Sequence, residues 1–298
     1  MNRIDAMSLF VRVAELQSFT AAALSLGLPK SSASQAVSQL EAHLKVQLLY
    51  RTTRKVQLTH DGHAYYERCR EVLAELDELE AMFSQTRELT GALRVDMPVS
   101  LARNFLVPRL PEFLDRHPGL EIELSCTDRR VDVVAEGFDC VIRVGALADS
   151  ALMTRPLGLM HMGNYTSPAY LARHGEPKTL EDLKSHHLIH YALTLGSRPF
   201  GFEYRDGEEY KVVDMPGRIT VNNTEAFSAA ALAGLGILQS PRTGNRQHVA
   251  EGRLVEILPQ YEAEPLPVAM VYPRRRHQAR RVRAFMDWVA EIMRDYLD

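Results

Sequence analysis

A long segment without proline, residues 59–89, places apolar side chains at intervals that alternate between four and three. Thr59 suits the N-cap position, Asp61 falls in the first turn, and no glycine follows Gly62 within the segment. The pattern predicts one long helix that separates a short N-terminal part of the chain from a longer C-terminal part. Its apolar positions form a coiled-coil seam: Tyr65, Cys69, Val72, Leu76, Leu79 and Phe83.

A single chain cannot bury both sides of such a seam. A second copy of the same helix is the simplest partner, and the segment is therefore predicted to form a homodimer. The alternative is that the helix packs against the C-terminal part of its own chain, since most helices with an apolar stripe lie against another element.

A second amphipathic segment, residues 30–44, precedes the long helix. Ala33, Val37, Leu40 and Leu44 share one helical face. The other face carries short hydrogen-bonding side chains, which suit a helix that reads base edges in a major groove. The candidate base-reading residues are Lys30, Ser31, Ser32, Ser34, Gln35 and Ser38. A serine-rich start of an ordinary surface helix explains the same pattern, so the flanking segments must decide between the two.

The segments before residue 30 predict two further helices. Ile4, Met7, Val11 and Ala14 mark the first, and Ser18 or Thr20 is expected to cap a second helix that stops at Gly27. Pro29 then interrupts the helical pattern, and Ser31 is the expected cap of the third helix. The order of helix, short turn and helix predicts a helix-turn-helix.

The run LLYRTTRKVQLT follows the third helix and contains two β-prone stretches around a polar, basic tip. We interpret it as a two-stranded wing whose tip contacts DNA phosphates, rather than as a solvated hairpin, because it comes directly after the candidate reading helix. The candidate phosphate-binding residues are Arg51, Thr52, Thr53, Arg54 and Lys55.

Charge is distributed unevenly along the chain, whose formal net charge is −3. This value argues against a protein that coats nucleic acid without sequence preference, but it is compatible with a small DNA-reading module joined to an acidic remainder. The three cysteines are far apart and lack the spacing of zinc ligands, so free thiols in a reducing cytoplasm are expected. No apolar run is long enough to predict a membrane partner.

The stretch LGLPKSSASQAVSQLEAHLKVQLLYRTTRKVQLTHDG, residues 26–62, resembles the DNA-binding segment of the LysR-type transcriptional regulators. The similarity lies in the helix-turn-helix, the RTTR wing and the LT-x-x-G start of the long helix. It implies an α+β and α/β multidomain protein: a winged helix-turn-helix domain at residues 1–58, a dimerising linker helix at 59–90 and an effector-binding domain at 91–298. The last would resemble periplasmic binding proteins, with α/β subdomain I at about 91–161 and 267–298 and subdomain II at about 162–266.

The resemblance also implies partners. They are double-stranded DNA, a small-molecule effector that is an anion in one interpretation, other copies of the chain in a homodimer or homotetramer, and RNA polymerase as a candidate. Two residues depart from the family pattern. Lys45 stands where glycine is common at the end of the helix, and because a left-handed conformation costs a lysine about 1 kcal/mol, a differently shaped exit is expected. Gln35 stands where arginine is common, which leaves the contacted base open.

Strand and helix patterns alternate after Gly91, which predicts a parallel sheet covered by helices. The predicted strands ALRVD, LEIELSC and DCVIRVG are separated by a helix ending near His117 and by another at residues 131–136. A second α/β unit is predicted from RITVNN, a helix at 224–233 and LGILQS. The run MTRPLGLM and the region of Asn164 are expected to cross between the units. PLPVAMVYP is expected to return as a strand, followed by a last helix at 278–297.

Ligands of open α/β sheets bind beyond the carboxyl ends of the strands, so polar residues at predicted strand ends are the candidate effector-binding groups. They are Ser100, Thr127, Asp128, Arg143, Asn222, Asn223, Gln239 and Ser240. A helix start at Ser100 and a cation at Arg143 would suit a carboxylate or another anion. The alternative for Arg143 is a structural ion pair with Asp128 or Asp139.

Other motifs do not support catalysis or a cofactor. The glycines at 234 and 236 follow a helix and precede a strand, the wrong order for dinucleotide binding. His186, His187 and His190 lack nearby carboxylate ligands, and no nucleophile, base and orienting group form a set. We therefore expect neither an enzyme nor a bound metal or cofactor. The rival class is an enzyme or solute-binding protein whose N-terminal helices only oligomerise it.

Overall fold

A computed structural model describes residues 2–51, 56–83, 88–146, 152–197, 200–274 and 278–297. The chain divides into two compact units, residues 1–87 and 88–298. The first unit contains α1 (Arg3–Leu16), α2 (Phe19–Ser25), α3 (Lys30–Leu44), β1 (Leu49–Arg51), β2 (Val56–Leu58) and α4 (His60–Phe83). It is a winged helix-turn-helix followed by a long helix.

Local capping explains where the first helices begin. Asn2 and Asp5 form a reciprocal capping box at α1, and the Ser18 hydroxyl accepts a hydrogen bond from the N–H of Ala21 at the start of α2. The prediction that Ser31 caps α3 is wrong. Pro29 is the N-cap and makes no side-chain cap bond, so Ser31 lies within the first turn of the helix.

The end of α3 is left-handed at Lys45, with φ 57° and ψ 32°. The expectation of a differently shaped exit is therefore wrong: the lysine adopts the conformation that glycine takes most easily. Glu41 fixes the chain just beyond it, because its Oε1 accepts hydrogen bonds from the N–H groups of Leu48 and Leu49 at 2.9 and 3.0 Å. These charge-assisted bonds help to offset the cost of the strained residue.

The start of α4 is tied to the chain that leads into the wing. The N–H of Thr59 donates to Leu48 O at 2.9 Å, and its hydroxyl donates to Gln47 O at 2.7 Å. The same hydroxyl accepts the N–H of Gly62 at 2.9 Å. A Cβ at Gly62 would lie 2.0 Å from Leu48 O, so only glycine permits this close approach. The spacing of Thr59 and Gly62 thus has a physical cause.

The second unit contains two α/β subdomains. Its helices are α5 (Val99–Leu101), α6 (Val107–Arg116), α7 (Pro168–His174), α8 (Thr224–Leu232), α9 (Arg242–Ala250) and α10 (Arg280–Leu297). Its strands are β3 (Thr90–Met97), β4 (Gly119–Cys126), β5 (Cys140–Val144), β6 (Met153–Met160), β7 (Met162–Thr166), β8 (His190–Tyr191), β9 (Phe202–Asp206), β10 (Glu209–Val213), β11 (Thr220–Val221), β12 (Leu238–Pro241), β13 (Val255–Glu256) and β14 (Leu266–Tyr272). A π-helical turn, Ala102–Leu106, joins α5 to α6.

Subdomain I is built on a five-stranded sheet in the order β4-β3-β5-β14-β6. β3, β4 and β5 are parallel, but β14 runs antiparallel to both of its neighbours, so the predicted all-parallel sheet is a mixed one. The run MTRPLGLM is the edge strand β6 and not a crossover. Among the described strands, β6 pairs with β14 along one side and with no strand along the other, which makes it an edge of the sheet. The chain passes into subdomain II directly after β6.

Subdomain II has a three-stranded sheet in the order β12-β7-β13, the pair β8 and β11, and the hairpin of β9 and β10. Asn164, expected in a crossover, lies in the central strand β7. The helix predicted at 131–136 is also absent: this stretch forms a turn that the carboxylate of Asp132 caps through the N–H groups of Val134 and Ala135. Gly137, with φ 69°, ends the turn before a second helical turn can form.

The buried apolar side chains follow the helical spacing where the sequence predicted it. On α10, Val282, Phe285, Val289 and Ile292 lie in the core of subdomain I, with Tyr296 partly buried beside them. Within the part of the chain that the structure describes, no helix is both long and apolar enough to cross a membrane.

Candidate DNA-binding surface and effector cleft

Helix α3 has two chemically distinct faces. Ala33, Ala36, Val37 and Leu40 are buried against α1, α2 and the wing strands. The candidate base-reading residues lie away from this core: Lys30, Ser31, Gln35 and Ser38 are exposed, and Ser32 and Ser34 are half-buried. The exposed face therefore presents hydroxyl and amide groups, which both donate and accept hydrogen bonds.

The wing has the predicted strands. β1 and β2 are antiparallel, with Arg51 opposite Val56. The candidate phosphate-binding residues Thr52, Thr53, Arg54 and Lys55, and the side chain of Arg51, lie outside the described residues, so their role stays a prediction.

The predicted seam of α4 is shorter than the sequence suggested. The Cys69 side chain is 1% exposed and belongs to the core of the first unit. Tyr65 packs on Phe10, with ring centroids 5.6 Å apart. Assigning Cys69 to a dimer interface was therefore wrong, and Tyr65 also faces the core, because the first turns of α4 lie against α1. Burial raises the pKa of the Cys69 thiol to about 11, as expected for a structural cysteine.

The later seam positions have a different environment. Val72 and Leu79 are 38% and 54% exposed in the single chain, and Leu76 is half-buried. The side chain of Phe83 lies outside the described residues. Exposed apolar residues at coiled-coil spacing remain available for a partner helix.

A cleft of about 1160 Å³ separates the two subdomains of the second unit. Six of the eight candidate effector-binding residues line it: Ser100, Thr127, Asp128, Arg143, Gln239 and Ser240. The other two do not. Asn222 is exposed, and Asn223 caps α8 by accepting the N–H groups of Glu225 and Ala226 at 2.9 and 3.1 Å.

Asp128 bridges the two subdomains across this cleft. Its Oδ1 accepts the N–H of Val99, at the start of α5, at 3.1 Å. Its Oδ2 accepts the N–H of Thr224, at the start of α8, at 2.6 Å. The backbone N–H of Ser100 also donates to Thr224 Oγ1 at 3.3 Å. The helix start that was predicted to receive an anion thus already holds a carboxylate of the chain.

Arg143 is also engaged. Its Nη2 lies 2.7 Å from Oδ2 of Asp96, and Nη1 donates to the carbonyl of Ile142 at 3.0 Å. The Asp96 side chain is 0% exposed and that of Arg143 15%. The pair is held by charge at short range, since neither Asp96 oxygen accepts a directed hydrogen bond among the described residues. A structural ion pair was one of the two predicted roles, but both proposed partners, Asp128 and Asp139, were wrong.

The two remaining candidates are part of the cleft wall. The amide of Gln239 exchanges hydrogen bonds with the backbone of Glu203, at 3.0 and 2.8 Å, and donates to Asn164 Oδ1 at 2.8 Å. Ser240 accepts a bond from Asn245 Nδ2 at 2.7 Å. These bonds hold β12 to β9, β7 and α9, and they fix the wall of the cleft.

Much of the cleft wall is apolar, and the sequence did not single it out. Val133, Val141, Leu152 and Phe227 line the cleft together with Tyr191. Burial, and then the charge of Asp128, raise the pKa of the Tyr191 hydroxyl, which stays protonated at neutral pH. These residues lie in ordinary strands and turns and in helix α8, where no local pattern separates a cleft wall from a core.

Comparison with known proteins agrees with this architecture. Residues 4–63 match the model of the bacterial regulatory helix-turn-helix proteins of the lysR family, and residues 86–294 match the LysR substrate binding domain. The chain is 48% identical to the HTH-type transcriptional regulator YhjC of Escherichia coli K12, over 100% of both chains. It is 40% identical to an HTH-type transcriptional repressor of Pseudomonas aeruginosa, covering 98% of this chain and 92% of the relative.

A solved structure gives the same result. CrgA of Neisseria meningitidis, a LysR-type transcriptional regulator, superposes with a TM-score of 0.62 at 29% identity, over 98% of this chain and 99% of that chain. The chain therefore belongs to the LysR family of transcriptional regulators, with an N-terminal helix-turn-helix DNA-binding domain and a C-terminal effector-binding domain of two α/β subdomains.

Proposed function

We propose that this regulator binds double-stranded DNA with α3 in a major groove, reading bases through Gln35 and the serines beside it. The observation that carries the proposal is the division of α3 into a buried apolar face and an exposed hydroxyl and amide face. Short side chains that donate and accept hydrogen bonds can approach base edges in the major groove, and an amide such as that of Gln35 can bond to adenine through two hydrogen bonds.

Phosphate contacts position the domain in this proposal. The residues proposed for these contacts are those of the wing from Arg51 to Lys55, three of which carry a cationic side chain. The start of α3 adds backbone N–H groups that no side-chain cap occupies. A helix start of this kind attracts a phosphate through both its N–H groups and its dipole.

The proposed DNA-binding species is a homodimer, or a homotetramer formed from two dimers. Exposed Val72 and Leu79 on α4 support a paired helix, because an apolar row at this spacing is buried most simply by its own copy. Two copies place two reading helices on one duplex, so the DNA site should have two-fold symmetry.

We further propose that the effector is a small organic acid bound in the cleft between the subdomains. The cleft is large enough for a small molecule, and Arg130 lies on its wall. Arg103 and Arg129 also line it, and each is paired with a carboxylate of the chain, Glu225 and Glu136. Effector binding alters DNA binding only if it favours one state of the protein over another. We assign no reaction to the cleft and place the protein in the cytoplasm, with RNA polymerase as a partner at the regulated promoter.

Selection of genomic fragments by gel shift, followed by anisotropy titration over a range of salt concentrations, tests the proposal. Gln35→Ala is expected to change the ranking of DNA sites. Arg54→Ala is expected to weaken binding to all sites and to flatten the salt dependence by about one charge. Gln260→Ala is the matched control, because Gln260 is an exposed glutamine of the second unit that does not line the cleft. Absence of sequence preference at every salt concentration would contradict the proposal.

A further inference from the structure

The two subdomains of the second unit meet through a small group of polar contacts at one side of the cleft. Asp128 accepts the N–H of Val99 from subdomain I and the N–H of Thr224 from subdomain II. Beside it, Arg103 Nη1 lies 2.5 Å from Glu225 Oε2, which joins the π-helical turn after α5 to α8. Asp128 is the member of this group that bonds to both helix starts at once.

Both donors are N–H groups at the start of a helix, where no carbonyl within the helix can accept them. Negative charge at this position is favoured by the helix dipole as well as by the hydrogen bonds. The 2.6 Å separation of Asp128 Oδ2 from the N–H of Thr224 is short, as expected for a bond to a charged acceptor. The carboxylate therefore occupies the position at which an acidic ligand would gain most.

The backbone at Asp128 limits how this carboxylate can leave. The N–H of Thr127 donates to Met97 O at 3.0 Å, which extends the pairing of β3 and β4 by one residue. Asp128 cannot move away with its backbone unless that pairing breaks. Its side chain must rotate out of the cleft, or α8 must move away from α5.

We propose that Asp128 is an internal carboxylate ligand that holds the two subdomains together when no effector is bound, so that an acidic effector binds by exchange with it. This inference rests on the proposed effector site and specifies how that site is regulated. An incoming carboxylate is repelled by Asp128 while the side chain remains in place, and it gains both helix starts once the side chain has left. Asp128 thereby sets the affinity of the cleft for acids.

Chemical rescue of the full-length chain tests the proposal without the effector or DNA. Asp128→Ala leaves two unpaired helix starts and room for a small acid, and sodium acetate is the probe. Hydrogen exchange measured by mass spectrometry follows two peptides, one covering residues 97–106 and one covering 222–230. Both peptides of Asp128→Ala are expected to exchange about tenfold faster than in the wild type, the factor that corresponds to the loss of one hydrogen bond to a charged group. Acetate is expected to slow both again in a saturable manner.

Three comparisons define the outcome. Sodium chloride at equal ionic strength should not slow the exchange, and acetate should leave the wild type unchanged. Asp182→Ala is the matched control, because Asp182 accepts the N–H groups of Lys178 and Thr179 within one loop; it should alter exchange there and not in the two peptides. If Asp128→Ala does not fold, Asp128→Asn replaces it, since the amide keeps the shape and turns a donor toward one helix start.

If both peptides of Asp128→Ala exchange at the wild-type rate, or if acetate and chloride change the exchange rates equally, the proposal is wrong. For Asp128→Asn, faster exchange in both peptides supports it, and exchange as in the wild type overturns it. Failure of the regulator proposal is recognised separately, because sequence-preferring DNA binding is measured in the gel shift and plays no part in the rescue.

Discussion

Gly62 is the glycine of the first unit at which an added methyl group should be most destabilising. It lies in the first turn of α4, where an added Cβ would be 2.0 Å from the carbonyl oxygen of Leu48. The obstructing atom belongs to the backbone and cannot rotate away. In Gly62→Ala, the start of α4 must therefore move away from the segment that leads into the wing.

The expected magnitude follows from two opposing effects. Alanine is favoured over glycine in a helix by about 0.5–1 kcal/mol. Overpacking of a tightly packed site costs about 1–3 kcal/mol, and a contact this short is at the upper end of that range. The net loss is about 2 kcal/mol. For a unit spanning residues 1–87, this corresponds to a fall in Tm of roughly 8–16 °C.

The chain itself supplies the means to separate the two units. Trp288 is the single tryptophan and lies in the second unit, so its fluorescence follows that unit alone, whereas circular dichroism follows both. Gly62→Ala should lower the Tm of the transition that circular dichroism detects and tryptophan fluorescence does not, which is that of the first unit. Gly244→Ala is the matched control, because a Cβ there meets nothing within 4 Å, and neither transition should fall. If the first unit of Gly62→Ala melts like the wild type, the steric argument is wrong.

The same melting assay tests two other features, and sedimentation tests a third. Lys45→Gly should make the first unit more stable than Lys45→Ala, by about 1 kcal/mol, because only glycine avoids the cost of the left-handed conformation; equal stabilities would contradict this. Leu79→Glu should shift the protein to a smaller species in sedimentation, and an unchanged mass would favour a helix packed within its own chain. Burial lowers the pKa of His186 below its ordinary value of about 6.5. At a pH near or just below 6.5, the folded form therefore binds fewer protons than the unfolded form. The second unit should thus lose stability as pH falls from 7.5 to 5.5, and His186→Gln should lose less; an equal loss would rule out His186 as the titrating group.

The elements that could be predicted from the sequence are those whose pattern is local. The 3.6-residue spacing of α3 and α10 and the cap at Ser18 depend on residues within one or two turns of each other. The same reasoning failed where packing with a distant segment decides the outcome. Cys69 continues the seam of α4 in sequence, but α1 covers it, and the spacing along α4 contains no information about α1.

The cleft shows the same distinction. The ends of strands identified six of its lining residues, because the edge of a sheet is fixed by the alternation of strands and helices. The partner of Arg143 could not be found in this way. Asp96 lies on β3 and Arg143 on β5, and their proximity depends on the pairing of two strands that are far apart in sequence. The direction of β14 is equally a property of the whole sheet.

The charges of the cleft decide where an acidic effector can act. The helix start at Ser100 and Arg143 were the two features predicted to attract an anion, and the chain already supplies a carboxylate to each of them, through Asp128 and Asp96. Removing one member of a buried ion pair costs about 3–5 kcal/mol, so exchange at the fully buried Asp96 is strongly disfavoured. Asp128 is half-buried and can regain hydrogen bonds from water when its side chain leaves. Exchange with an acid is therefore easier at Asp128, which joins the two subdomains, than at Asp96. An acid that replaces the Asp128 carboxylate changes the contacts that hold the subdomains together.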